Sequence, residues 1–355
     1  MRALVILLAI AAGCTRTTRD VEPEDPSSRI EEVARSQRQW TGIAVSKSGR
    51  IFVNYPRWSD EVPFSVGELD ESGEAQPYPD RYWNLWDETS PPADHFVCVQ
   101  AMLVDEQDQL WILDPANPKF AGVVPGGPKL IKIDLATNQV VDTILFGAHT
   151  APPGSYLNDL RVDLNEQVVY LTDSGLGALI VLDLKTNRAR RVLVNHPSTK
   201  AEEIVLTISG KEWRLPDGSA PRVHADGIAL SLDGRHLFWQ ALTGRTLYWI
   251  PTRHLRDERL SERDLGARVR TAAQTGAADG LLFANDGFIY ISSLEEGAIK
   301  RLGPRRGVQM VSDDARIVWP DSFAEGPDGA IYFTTARIHE GDKPKGPYRI
   351  FRFKP

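Results

Sequence analysis

The chain has 355 residues, 42% of them hydrophobic and 25% charged, with a formal net charge of −7. That composition excludes collagen-like, disordered and polytopic membrane chains, and the acidic balance excludes the basic footprint of a nucleic-acid binder. Two cysteines exclude a disulfide scaffold and any CxxC-type zinc or redox site.

At the N-terminus, Arg2 precedes the apolar run Ala3–Ala12. The run is too short to cross a bilayer and has the character of a signal-peptide core. Ala11-Ala12-Gly13-Cys14 resembles the bacterial lipobox, whose cysteine is lipidated and becomes the mature N-terminus. Residues 1–14 are therefore expected to be a lipoprotein-type signal with Cys14 as lipidation site, and the polar stretch 15–28 a flexible tether. The expected location is outside the cytoplasm, as an outer-membrane lipoprotein facing the periplasm or as an extracellular protein. The membrane is then met only through the lipid. An ordinary secretory signal with an unmodified cysteine is the alternative. Cys98 lies in an apolar run and reads as a small core residue.

Residues 29–37 (RIEEVARSQ) make a strand with no sequence neighbour to pair with. After it one pattern recurs: a polar residue, a short apolar strand, a tight turn, then a strand ending in aromatic or β-branched residues. The copies are TGIAVSKSGRIFVNYP (41–56), QAMLVDEQDQLWILD (100–114), NDLRVDLNEQVVYLTDS (158–174), DGIALSLDGRHLFWQAL (226–242), DGLLFANDGFIYISSL (279–294) and DSFAEGPDGAIYFTTA (321–336). A second strand pair follows most copies, as in KLIKIDLATNQVVDTILF (129–146). Six units of four short strands, A to D, predict an all-β fold, a six-bladed β-propeller forming one domain over 29–355. The last unit ends with YRIFRF (348–353) as strand C and has no D strand. The orphan N-terminal strand is expected to supply it and so to close the ring.

The A–B and C–D turns are tight, and their Asp and Asn residues read as turn chemistry. Long segments (81–98, 115–128, 147–156 and 196–224) fall at the opposite end of the blades, and the last contains the hairpin EIVLTISGKEWRL. Long loops on a rigid scaffold concentrate binding residues, which makes that end the expected functional face. There the heads of the A strands form a polar column: Thr41, Gln100, Asn158, Asp226, Asp279 and Asp321. Two roles are open to these side chains, hydrogen bonding to neighbouring blades or lining a small-molecule pocket at the channel mouth. In the second role Asp226, Asp279, Asp321 and His224 are candidate catalytic groups, and Thr41, Gln100, Asn158 and Asp159 candidate ligand contacts. His95 and His149 lie in long loops at the same end. HExxH, GxSxG, Walker and Rossmann glycine patterns are absent from the sequence.

FVNYPRWSDEVPFSVGEL (52–69), PYPDRYWN (77–84), LNDLRVD (157–163), YLTDSGLGALIVLDL (170–184) and WPDSFAEGPDGAIYFTTARIHE (319–340) together resemble the major royal jelly protein/Yellow family. The resemblance runs in order over about residues 40–340 and, with the lipobox, points to a bacterial member. It implies a secreted six-bladed propeller with a ligand pocket at the channel mouth. Some insect members are dopachrome-converting enzymes, and salivary relatives bind amines without catalysis. Those relatives carry disulfide pairs, which this chain lacks.

More distantly the chain is similar to gluconolactonase/regucalcin propellers. Those hold a divalent ion such as calcium with a Glu of blade one, an Asn of blade three and a later Asp. Here Asn158 and Asp226 would be the metal ligands, but Thr41 stands in place of the Glu, which removes a carboxylate from a hard-cation site. The expectation is therefore no cofactor, with calcium as the alternative. Three functions follow: tautomerisation of a catechol-derived carbonyl compound, metal-assisted lactone hydrolysis, or binding of an amine or aromatic ligand without turnover.

Overall fold

The structure, a computed structural model, describes residues 30–62, 64–304, 306–341 and 344–355. The signal, Cys14 and the tether expected over 1–28 lie outside the described residues. Among the described residues the strands form six four-stranded antiparallel sheets and one small hairpin, Thr207–Ile208 with Lys211–Glu212. The first five sheets are simple meanders whose strands follow chain order within 43–77, 101–145, 157–192, 225–274 and 278–312. The sixth consists of Pro320–Glu325, Ile331–Thr335, Tyr348–Phe353 and, as its outer strand, Glu31–Ser36. The fold is thus the six-bladed propeller, and the orphan strand closes it, with Glu31 opposite Arg352 and Ser36 opposite Tyr348. Ion pairs Arg349–Glu32 (3.0 Å) and Arg352–Glu31 (2.8 Å) reinforce this seam. The more exposed pair, Arg352–Glu31, contributes at most about 1 kcal/mol.

Packing between blades supplies the stability. Alternating strand residues face the neighbouring sheet, so apolar clusters fill the gaps. Leu113, Leu130, Leu160 and Ile180 lie between blades two and three. Tyr170, Val181, Ile228 and Trp239 lie between three and four. Trp40, Ile43, Tyr332 and Ile350 seal blade six against blade one. Burying each such large side chain is worth about 1.5–3 kcal/mol. Cys98 belongs to a small buried cluster with Val97 and Ala116, and burial pushes its thiol up to about 12, which leaves it unreactive.

One local feature aims the central residues. In blades three to six the A–B pairing carries a register shift at the head of strand A, between Leu157 and Leu160, Ala225 and Ile228, Ala278 and Leu281, and Pro320 and Phe323. Such bulges place two residues opposite one and redirect side chains. A short hydroxyl on strand B fills the gap in three of them. Thr172 Oγ1 accepts from the Asp159 N–H (3.1 Å), Ser292 Oγ from the Asp279 and Gly280 N–H groups (3.1 and 2.7 Å), and Thr334 Oγ1 from the Ser322 N–H (3.2 Å). Thr172 and Thr334 then donate to the carbonyls of Asp226 and Thr41 in the next blades. The second bulge residue must be small where the next blade presses on it: a Cβ on Gly227 would lie 2.2 Å from the Asp279 carbonyl oxygen, and one on Gly280 2.1 Å from that of Asp321.

Blade four departs from the tight-turn pattern between its C and D strands. There the chain makes two short helices, Thr252–Arg256 and Glu262–Gly266. Ser261 caps the second by accepting from the Asp264 N–H (3.2 Å), and Leu255 and Leu265 anchor the pair in the core between blades three and four.

Candidate functional site

The bulges deliver Asp226, Asp279 and Asp321 to the centre of the ring, each buried, with 4%, 7% and 4% exposure. Asp159, the second bulge residue of blade three, adds a fourth carboxyl whose charge is felt by all three. Burial is the main cause that raises every one of them. Asp226 is held well above the usual carboxylate range, first by burial and then by the charges of Asp279, Asp321 and Asp159. Its protonated form is thereby favoured, and that form donates to Asp279. Asp279 is pushed up to about 7 by burial, against the opposing pull of hydrogen bonds from Trp319 and Asp226. The Trp319 indole donates to Asp279 Oδ2 at 2.7 Å. Asp321 is also held well above the usual range; it accepts from the Ser322 hydroxyl at 2.9 Å. Among the described residues the four carboxyls have one close counter-charge, Arg161, whose Nη1 donates to Asp159 at 3.0 Å.

Above the acidic blades, the long insertion 196–224 is folded down as a cover. Leu206, Ile208 and Trp213 pack on Leu242, Ala277, Leu294 and Trp319. Trp213 meets Trp319 edge-on at 4.9 Å, and His339 stacks parallel to Trp319 at 5.5 Å. This cover fixes the indole that orients Asp279.

The neutral half of the column is engaged differently. The Thr41 hydroxyl accepts from Asn54 Nδ2 (3.0 Å), and Asn54 also binds the Val99 carbonyl and the Gly42 N–H, joining blade one to blade two. Gln100 Oε1 accepts from the Tyr156 hydroxyl (2.8 Å), which accepts in turn from the Trp58 indole (2.7 Å). The Asn158 side chain, 6% exposed as a residue, has no hydrogen-bond partner among the described residues. His224 turns away from its sequence neighbour Asp226: its Nδ1 accepts from the Ala201 N–H (2.9 Å). Burial, then Lys200 and Arg222, push it down to about 4. Its ring is neutral at physiological pH, and its one lone pair is already engaged. His95 Nδ1 donates to the Tyr82 carbonyl (2.7 Å) and is buried, whereas His149 is exposed.

The loops at this end are pinned by two strand-B aspartates. Asp114 accepts from the Val97, Cys98 and Ala116 N–H groups and pairs with fully buried Lys129 at 2.9 Å. Asp173 accepts from the Tyr156, Gly175 and Leu176 N–H groups and pairs with Arg191 at 2.6 Å. These are loop-positioning roles, met by hydrogen bonds within the fold.

Below the column, a cavity of about 380 Å³ occupies the channel and opens at the tight A–B turns. Its lining starts at the residue next to the column in four blades, at Ala101, Asp159, Gly280 and Ser322. Arg161 crosses the channel there to the Leu281 carbonyl of blade five. The carboxyl cluster thus lies behind the inner end of this funnel.

A resident divalent cation does not fit the cluster. Thr41 offers a hydroxyl already used by Asn54, Asp226 and Asp279 bind each other, and Trp319 occupies an Asp279 oxygen. Among the described residues no group of three His, Cys, Asp or Glu is placed to hold a metal ion.

The sequence model of the Major royal jelly protein family matches residues 97–325. The chain belongs to the major royal jelly protein family. Major royal jelly protein 7 of Apis mellifera is 25% identical over 258 residues, 66% of this chain and 54% of that protein. The dopaminechrome tautomerase of Drosophila melanogaster is 27% identical over 165 residues, 42% of this chain and 35% of that protein. This royal jelly family chain spans between 35% and 63% of the length of the curated relatives it matches. Among solved structures, a gluconolactonase of Xanthomonas campestris superposes with a TM-score of 0.54 at 15% identity, over 92% of this chain and 89% of that one. Virginiamycin B lyase of Staphylococcus aureus gives 0.53 at 10% identity, over 92% and 99%. At such identities these two likenesses concern the fold alone.

Two contributors to the site escaped the reading of the sequence. Trp319 stands two residues before Asp321 in WPDSF, yet serves Asp279 of the preceding blade. Arg161 shares the inward-facing row of strand A with Asp159, a two-residue spacing that alternation alone makes visible.

Proposed function

We propose that this protein catalyses a proton shift on a small cyclic, catechol-derived carbonyl compound, a tautomerisation of the dopaminechrome type, at the carboxyl cluster. The observation that carries the reading is the Asp226–Asp279 pair, one carboxyl holding its proton and hydrogen-bonded to another whose oxygen is oriented by Trp319. Tautomerisation removes a proton next to a carbonyl and returns one elsewhere, so it needs a base and an acid side by side with matched affinities. Asp279 is the base. Asp226 is the acid that protonates the carbonyl oxygen as the enol forms, and the unpartnered Asn158 amide is a donor to that oxygen. The dopaminechrome tautomerase among the relatives supports this choice of substrate class.

Export fits the same reading. The apolar run Ala3–Ala12 has the character of a signal, and a Yellow-related salivary protein of Phlebotomus perniciosus is among the relatives.

The test is loss of dopaminechrome absorbance with purified protein, with and without chelator. Turnover that survives the chelator and falls at least about 100-fold in Asp279→Asn and Asp226→Asn is expected. Equal turnover in those variants, or none in the wild type, would overturn the proposal.

A further inference from the structure

The cover 196–224 sits on the acidic blades, through Leu242, Ala277, Leu294 and Trp319. Across the ring, the long loop of blade two presents a different feature. Phe120 is 62% exposed, yet its ring lies against Trp58 at 5.5 Å and Tyr156 at 5.1 Å, 31° from the plane of each. The backbone that carries it is left-handed at two successive bulky residues, Lys119 (φ +55°) and Phe120 (φ +54°). That conformation is costly for such side chains and persists only where the surroundings enforce it. Here buried Asn117 donates to the Ser155 carbonyl (3.1 Å) and accepts from the Gly122 N–H (2.9 Å), and the Lys119 N–H donates to the Arg57 carbonyl (2.9 Å). The fold thus strains its backbone to hold an apolar ring in water, a cost that core packing does not explain.

The same aromatic group fixes the polarity of Gln100. The Trp58 indole can only donate, so the Tyr156 hydroxyl accepts from it and gives its own proton to Gln100 Oε1. The Gln100 Nε2 hydrogens are left without an acceptor among the described residues. Asn158 heads the adjacent inner strand, and its amide is also unpartnered. Neither amide is sealed from solvent. Blade two stands opposite blade five in a ring of six, so Gln100 and Asp279 head facing strands.

An exposed aromatic ring, two neighbouring free amides and a carboxyl pair opposite fit one ligand chemistry, a flat ring with oxygens on adjacent carbons. The ring stacks on Phe120 while Asn158 and Gln100 each donate to one oxygen. A ring with one oxygen leaves an amide unmatched, and a saturated ring has no face to stack.

We propose that Gln100 and Phe120 select the substrate, Gln100 by donating to the second oxygen of an ortho-dioxygenated ring and Phe120 by stacking on its face. The choice of ring rests on the tautomerase reading, but the test needs no turnover. Calorimetry at pH 8 on the whole protein compares 4-methylcatechol, 4-methylphenol and cis-1,2-cyclohexanediol, and hydrogen exchange locates the bound molecule. 4-Methylcatechol is expected to bind at least about tenfold more tightly than either analogue and to protect 117–122. Phe120→Ala removes an exposed side chain and should weaken 4-methylcatechol about tenfold. Gln100→Glu keeps an acceptor for Tyr156 and removes the N–H donors. It should bring 4-methylcatechol down to the affinity of 4-methylphenol, whereas a Gln100 that only holds Tyr156 would be replaced without loss. No binding at millimolar 4-methylcatechol, equal affinity for the three probes, or unchanged affinity in either variant would overturn the proposal. If Gln100→Glu does not fold, Phe120→Ala and the probe series on unaltered protein decide the matter. Dopaminechrome turnover without catechol binding would sink this proposal and leave the tautomerase reading standing; catechol binding without turnover would do the reverse.

Discussion

In blades one to three the residue heading the inner strand is neutral, and in blades four to six it is an aspartate. Two of the neutral residues are drawn into the scaffold: Thr41 is held by Asn54, and Gln100 by Tyr156. The aspartates bind chiefly one another and one indole, so burial and mutual repulsion are left unrelieved and their affinity for protons rises. One geometric position in a repeated fold therefore does structural work on one side of the ring and stores chemical potential on the other. The second use costs stability, as functional sites commonly do.

The largest effect should separate the halves by activity. Asp279→Asn is expected to lower turnover at least about 100-fold with the fold intact, because it removes the base. Thr41→Val at the equivalent position should leave turnover within about twofold. It should cost about 1–3 kcal/mol by chemical denaturation, since the buried Asn54 amide loses an acceptor.

Next in size is the glycine beside the column. Gly280→Ala drives a Cβ to 2.1 Å from a backbone carbonyl of the next blade, and a loss of about 3 kcal/mol or more in unfolding experiments is expected. Gly42→Ala meets the Asn54 side chain at 2.2 Å instead. A side chain moves more easily than a strand, so this change should cost less, about 1–3 kcal/mol.

How much of this was legible before the structure depends on the range of the physics involved. Strand alternation and turn residues act within a dozen positions, which is why the six units and the closing role of RIEEVARSQ could be read directly. The column was legible because each member heads an apolar strand. What divides it was not. Asp226 and Asp279 meet because bulges in two different blades turn them inward, and Trp319 reaches back across a blade boundary. His224, two residues from Asp226 in the chain, faces a loop instead. The cavity at the tight-turn end also escaped, since long loops drew attention to the opposite face. Where a channel is blocked depends on which side chain crosses it, here Arg161.

Stability should depend on pH through the acidic half. A carboxyl whose folded affinity for protons is raised binds more protons in the native than in the unfolded state. Its contribution is present in full below the unfolded value of about 4 and is lost as pH rises toward the folded value, about 7 for Asp279. Thermal unfolding should therefore fall between about pH 4 and 7 by more than the surface charges explain, and Asp321→Asn should raise the midpoint at pH 8 and flatten the curve. An unchanged slope in that variant would remove Asp321 from the cluster's energetics.

The smallest effect concerns orientation. Trp319→Phe keeps the stack with Trp213 and His339 and removes the donor to Asp279. That bond lowers the affinity of Asp279 for protons, so the acid-side limb, where the base must lose its proton, should move to higher pH while the maximal rate falls only several-fold. A profile that stays in place would show that the indole only packs.

The central claim is that the acidic half keeps a shared, titrating proton, and the direct measurement is the protonation of the aspartate carboxyls themselves. In protein labelled with ¹³C at the aspartate side-chain carboxyl, NMR from pH 4 to 9 should show one resonance titrating near 7 that is lost in Asp279→Asn. At least one further carboxyl, lost in Asp226→Asn, should remain protonated through neutral pH. If every aspartate is ionised by about pH 5, in the range of ordinary carboxylates, the acidic half stores no proton and the proposed catalysis at this site is contradicted.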